Sequence, residues 1–136
     1  MTYQAVYYRD PVGREPVGEF IDRLEPDCQS EVDWRIGLLN RLSDAMPELP
    51  FPHSSAIRGA RYRGLRELRA PCGRAHYRIL FRRSGRFFIL LHAFEKRSRP
   101  IASHDLDVAI ERWVDFQDRM DALPRIRPRA MGHDAP

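Results

Sequence analysis

Residues 75–94 read AHYRILFRRSGRFFILLHAF, and two patterns within them decide the fold. From Ala75 to Arg82 the side chains alternate. Tyr77, Ile79 and Phe81 point one way, and His76, Arg78 and Arg82 point the other, so the segment reads as a strand with one core face and one cationic face. From Arg86 to Phe94 the run Phe87-Phe88-Ile89-Leu90-Leu91 is apolar on both faces, which places a second strand inside a sheet. Ser84-Gly85 separates the two as a turn. Upstream, Pro71-Cys72-Gly73 separates them from a third strand at Gly64 to Ala70, so a three-strand antiparallel meander is expected.

Outside the meander the pattern is mostly helical. Tyr3 to Tyr8 is aromatic and β-prone and gives an initial strand closed by Arg9-Asp10-Pro11. Val17, Phe20, Ile21 and Leu24 follow Pro16 on one helical face, with Pro26 read as the break. A second helix is expected from Ser30 to Met46 on Val32, Ile36, Leu39, Leu42 and Met46, widened by Trp34, Leu38 and Ala45. These two helices should form an acidic hairpin over one face of the sheet. A last helix carries Leu106, Ala109, Ile110, Trp113, Phe116 and Met120. The fold class is therefore α+β: an N-terminal strand, a helix hairpin, the meander, and a C-terminal helix packed on the sheet. Residues 1–121 are read as one domain and residues 122–136, rich in proline and without periodicity, as a mobile tail.

A chain of 136 residues with 43% hydrophobic content suits one core. It has no run approaching the roughly 18 apolar residues of a membrane span, and its first residues lack a signal-peptide layout, so a cytoplasmic protein without membrane contact is expected. Cys28 and Cys72 are too few for a disulfide framework and lack zinc-site spacing, so they are read as structural. The net charge of +4 is unevenly spread: residues 1–50 carry −5, residues 58–99 carry +11, and residues 100–136 carry −2. Positive charge confined to the meander indicates a surface for a polyanion. Only Lys96 is lysine among 23 cationic residues, and arginine is the better bidentate ligand of phosphate.

Four ordered motifs carry a resemblance. They are Gly-x-x-Pro-Val-x-Glu-Phe-Ile-x-x-Leu from Gly13 to Leu24, Gly64-Leu65-Arg66-Glu67-Leu68-Arg69, Tyr77-Arg78-Ile79-Leu80-Phe81, and Leu90-Leu91-His92-Ala93-Phe94-Glu95-Lys96-Arg97 followed by Pro100. Together with the order of elements, over about residues 3–120, the chain resembles the RelE/HigB superfamily of bacterial toxins, in its phage-derived HigB-like branch. The resemblance implies the toxin of a type II toxin–antitoxin system: an endoribonuclease that cleaves messenger RNA on the ribosome and is neutralised by an antitoxin, expected to be a helix-turn-helix protein. No cofactor or metal is expected. The alternatives are a toxin-fold module that binds nucleic acid or antitoxin without catalysis, and a toxin that inhibits DNA gyrase.

RNA cleavage without metal uses the 2′-hydroxyl against the adjacent phosphate. It needs cations where charge builds on the phosphoryl oxygens, and proton transfer at the attacking and leaving oxygens. Arg78, on the polar side of the middle strand and matching the family's Tyr-Arg position, is the first candidate; the plainer reading is an exposed sheet arginine. Glu67 and Arg69 flank Leu68 and share the cationic face if Leu68 faces the core; Arg69 then holds phosphate while Glu67 positions Arg69 or acts as base, or the two form a structural ion pair. Lys96 and Arg97 match the family's paired basic residues. Histidine suits the proton transfers. His76 shares the face of Arg78, while His92 depends on the turn: a two-residue Ser84-Gly85 loop puts it opposite Tyr77 on the core side, and a three-residue loop through Arg86 puts it beside Arg78. His104 is a further candidate near the last helix. Arg61, Arg63, Arg66, Arg82 and Arg83 are expected to hold the RNA backbone, although Arg66 stands where related toxins usually carry a core aromatic residue.

Overall fold

A computed structural model describes residues 2–136. Strand β1 (Gln4–Tyr7) is followed by helices α1 (Pro16–Asp22) and α2 (Pro26–Leu39), then strands β2 (Ser54–Ala56), β3 (Leu65–Cys72), β4 (Ala75–Ser84) and β5 (Phe87–Glu95), and helix α3 (Ser103–Asp121). The strands form one sheet in the order β1-β5-β4-β3-β2, with β1 parallel to β5 and the other pairs antiparallel. The architecture is the expected α+β one, enlarged by β2. No helix among the described residues is long and apolar enough to cross a membrane.

The sheet has a core on each face. Leu68, Ala70, Ile79, Phe81, Phe88 and Leu90 pack against Val17 and Ile21 of α1 and Val32 and Leu39 of α2. Leu65, Leu80, Ile89, Leu91 and Phe94 pack against Ala109, Trp113 and Phe116 of α3. Thus β4 is not simply apolar on one side and cationic on the other: Leu80, between Arg78 and Arg82, is fully buried under α3. Both faces of β5 are covered, as its unbroken apolar run requires.

Pro26 starts a helix rather than ending one. Proline lacks the amide that a first helical turn leaves unpaired anyway, and its fixed φ suits that position, so α2 begins there. It stops at Leu39 instead of Met46: the next residues tighten into i→i+3 bonds, from Asn40 N–H to Gly37 O through Leu42 N–H to Leu39 O, and the Asn40 side-chain oxygen accepts the Ala5 amide at 2.7 Å. Trp34 and Met46, expected on the apolar side, are each about half exposed. Strand β2 was illegible from Ser54-Ser55-Ala56, which has little strand propensity of its own; it exists through pairing with Arg66 to Leu68 of β3.

Both hairpins turn on glycine at positive φ. Gly73-Arg74 joins Cys72 to Ala75, and Gly85-Arg86 joins Ser84 to Phe87. Neither expected β4–β5 register forms, since the loop excludes Ser84 and a bulge follows. Phe81 pairs with Leu90 but Leu80 pairs with His92, leaving Leu91 as the extra residue of β5. His92 therefore lies opposite Leu80 and Arg78 opposite Phe94.

Two further features concern the cysteines and the last residues. Cys28 and Cys72 are bridged, tying the first turn of α2 to the end of β3 with their Cα atoms 5.8 Å apart. The last residues, read from the sequence as a mobile tail, make hydrogen bonds to the sheet. They run beside β1, whose outer edge would otherwise present unpaired backbone groups: Arg9 N–H donates to Ala130 O at 2.8 Å, Gly132 N–H to Tyr7 O at 2.7 Å, and Tyr7 N–H to Asp134 Oδ1 at 3.1 Å. Ala130 and Ala135 are buried against α3's core. Arg119 of α3 fastens the approach, pairing with Asp115 and donating to Pro128 O and Arg9 O.

Candidate functional site

Helix α3 lies over β4 and β5 and reaches Leu65 at the start of β3, and the later residues of β3 on that face lie outside its packing cluster. Alternation puts Glu67 and Arg69 of β3 there, because Leu68 between them faces α1 and α2. It puts Arg78 there too, since Ile79 faces the same helices. Arg69 and Arg78 are directly paired across the two strands, an arrangement of like charges that is costly unless something lies between them.

Glu67 is that something. Its Oε1 accepts from Arg69 Nε at 3.1 Å and Nη2 at 3.0 Å, and from the Ser55 hydroxyl at 3.0 Å. Its Oε2 lies 3.6 Å from Arg78 Nε. Glu67 and Arg78 are 4% and 8% exposed, and among the described residues neither Glu67 Oε2 nor Arg78 Nε has a hydrogen-bond partner. Arg78 spends one donor, Nη1, on the Tyr77 carbonyl at 3.2 Å. Burial lowers the Arg78 pKa, Glu67 raises it and Arg69 lowers it, for a net downward shift.

Beyond Arg78 an open groove of about 330 Å³ is lined by His76, Arg78, Lys96, Arg97, Ser98 and Arg99. The Lys96 amide donates to the His76 carbonyl at 2.8 Å, which fixes the segment after β5 against β4. Arg97 is exposed and pairs loosely with Glu95 at 3.6 Å. The groove thus has a buried arginine in its wall, a cationic rim and one imidazole. Such a set can hold an anion and neutralise charge developing on it.

His92 is outside this groove. The bulge hands it to the α3 side, where Nε2 meets Asp105 Oδ1 at 2.7 Å and Nδ1 faces Arg112 Nη1 at 3.3 Å. Its ring stacks on Phe94. Burial lowers its pKa from the ordinary 6.5, with the Asp105 hydrogen bond opposing and the charge of Arg112 assisting. With both nitrogens engaged, His92 serves to fasten β5 to α3.

The five arginines expected along the RNA do not share a face. Arg66 turns to the α2 side, donating to Ser54 Oγ and Leu49 O at 3.3 Å each. Arg83 lies over the Tyr3 ring, on the same side. Arg82 stacks on Trp113 at 4.6 Å, and Arg61 pairs with Asp107 at 3.0 Å, both toward α3 and away from the groove. Arg63 is exposed before β3. Neighbouring strand residues must diverge, so Arg82 and Arg83 cannot serve one surface.

Three contributors escaped the sequence reading. Ser98 and Arg99 complete the groove; their signal was the continuation of the basic run Lys96-Arg97-Ser98-Arg99. Ser55 holds Glu67 from β2, a strand with no readable signature.

A family model described as phage-derived protein Gp49-like (DUF891) matches residues 19–114, from within α1 to within α3, and so includes Glu67, Arg69, Arg78 and the whole groove. No curated protein matches the chain.

Proposed function

On the premise that the chain belongs to the phage-derived Gp49-like family, which is associated with RelE- and toxin-like proteins, we propose that it is the HigB-like toxin of a type II toxin–antitoxin pair, an endoribonuclease acting on messenger RNA at the ribosome. The observation that carries this reading is Arg78: a guanidinium only 8% exposed that nevertheless lines an open groove whose other walls include Lys96, Arg97 and Arg99. Burying an arginine this far is costly, and a phosphate is the partner that its fork matches.

In this mechanism the RNA 2′-oxygen attacks the adjacent phosphorus as its proton passes to a base. The bond from phosphorus to the 5′-oxygen then breaks, and that oxygen takes up a proton, leaving a cyclic phosphate and a free 5′-hydroxyl. Arg78, with Lys96 and Arg97 at the rim, stabilises the charge on the phosphoryl oxygens. His76 is the imidazole within the groove and serves proton transfer. Glu67 is a positioning residue that holds Arg69 and Arg78 in register. The ribosome supplies the alignment of the RNA that a shallow groove does not supply alone. A helix-turn-helix antitoxin is the partner that masks this face.

The test is expression without antitoxin, with transcript ends mapped on translating ribosomes. Cleavage by the wild-type protein, abolished in a folded Arg78→Ala variant, is the expected result. Intact transcripts with a folded wild-type protein, or cleavage retained by Arg78→Ala, would overturn the reading.

A further inference from the structure

Phe51 is an aromatic ring that the fold places in solvent, 70% exposed, at the rim of the arginine face. Its loop is not slack. Leu49 is buried, its carbonyl accepts from Arg66, and the Pro50 carbonyl accepts from His53 at 3.0 Å and Ser54 at 3.2 Å. Pro50 and Pro52 flank the residue and restrict its backbone. The ring is therefore presented outward by a stiff, anchored segment. The Arg69 guanidinium sits 4.9 Å from the Phe51 ring centroid; the exposed Trp34 ring has a similar partner in Arg35 at 5.2 Å, but both of those residues belong to α2 and not to the strands that carry Arg69 and Arg78.

Arg69 is itself pinned. Its Nε and Nη2 are taken up by Glu67 and Ser55, which leaves Nη1 for a ligand. Across the strand pair it faces Arg78. One short surface thus offers a flat π-face, a fixed guanidinium beside it and a second guanidinium next along. Stacking on an aromatic ring together with cationic hold on the backbone is the combination by which single-stranded nucleic acid is bound without regard to sequence.

We propose that Phe51 is a stacking platform for a nucleobase of single-stranded RNA, with Arg69 holding the phosphate of the stacked nucleotide as the strand runs on toward Arg78. The inference rests on the RNA-cleaving reading and extends it beyond the groove to β2's approach loop. It requires an exposed, planar side chain at position 51, so a tyrosine serves and a leucine does not.

The experiment uses the full chain and a single-stranded RNA blocked against cleavage by 2′-O-methylation, carrying one 2-aminopurine. Fluorescence of the base reports stacking, and its titration reports affinity at fixed low salt. Wild type and Phe51→Tyr should quench the probe. Phe51→Leu and Phe51→Ala should leave it bright and weaken binding roughly five- to a hundredfold, the range that one lost base stack gives. Quenching and affinity unchanged in Phe51→Leu, with wild type binding well, would overturn the platform and leave the RNA reading standing. So would unchanged RNA binding with weakened hold on a protein antitoxin. No binding by the wild-type chain would overturn the platform, while the RNA-cleaving reading is decided separately by transcript ends mapped on translating ribosomes.

Discussion

Arg78 Nε lies 3.6 Å from Glu67 Oε2, and these two atoms, each buried, have no hydrogen bond to share. They are held by charge alone, with Arg69 on the other carboxylate oxygen. Glu67→Gln keeps the shape and removes the charge, leaving two cross-strand arginines facing each other. Loss of one partner of a buried pair costs about 3 kcal/mol or more. Urea denaturation should show that loss, with a smaller one for Arg69→Met, whose side chain is more exposed; an unchanged midpoint for Glu67→Gln would show that the carboxylate charge does not hold the site together.

His92 gives the fold a pH dependence of known sign. Its pKa is below 6.5 when folded, chiefly through burial, so the unfolded chain binds the proton more readily. The stability it contributes is complete above pH 6.5 and is lost as pH falls through the folded value. Imidazole NMR should show its titration midpoint below 6.5, and His92→Gln should flatten the stability profile just below that pH. A midpoint above 6.5 would contradict its neutral, doubly engaged setting between Asp105 and Arg112.

The Cys28–Cys72 bridge closes a separation of 44 residues. Limiting the unfolded chain over such a loop stabilises the fold by about 3–4 kcal/mol. Reduction, or Cys28→Ser with Cys72→Ser, should lower the denaturation midpoint accordingly. Identical midpoints with and without reductant, together with two free thiols by titration, would show that the bridge does not form in solution.

Deleting residues 129–136 should expose β1. The amides of Tyr7 and Arg9, which donate to Asp134 and Ala130, should then exchange with deuterium far faster, while those of Phe81 and Ile89 stay slow. Unaltered exchange at Tyr7 and Arg9 would show that the tail does not cover the edge.

The two faces also separate the arginines by effect. Arg66→Ala and Arg83→Ala should leave transcript cleavage within a fewfold of wild type and reduce stability, since their partners are Ser54, Leu49 and Tyr3. Arg69→Ala should weaken RNA binding instead. Equal loss of cleavage from all three folded variants would show that the RNA wraps both faces.

What could be read from the sequence followed strand alternation. Tyr77, Ile79 and Phe81 against Arg78, and Leu68 against Glu67 and Arg69, fixed two strands and the face that carries the site. Features that arise only on assembly were not legible. Pro26 carries the same local signal whether a helix ends or begins there. Ser54-Ser55-Ala56 becomes a strand because β3 offers an edge. The bulge at Leu91 depends on how β5 meets both β4 and α3, so the place of His92 could not follow from counting turn residues.

The bulge also lies where the sheet narrows. Partnership with β1 ends at Leu90, and β2 reaches only Leu68 with its regular register, so the segment holding Arg69 and Arg78 is three strands across. Cys72 lies at its tip, so the bridge ties this narrow end of the sheet, and the strand that carries Glu67 and Arg69, covalently to α2.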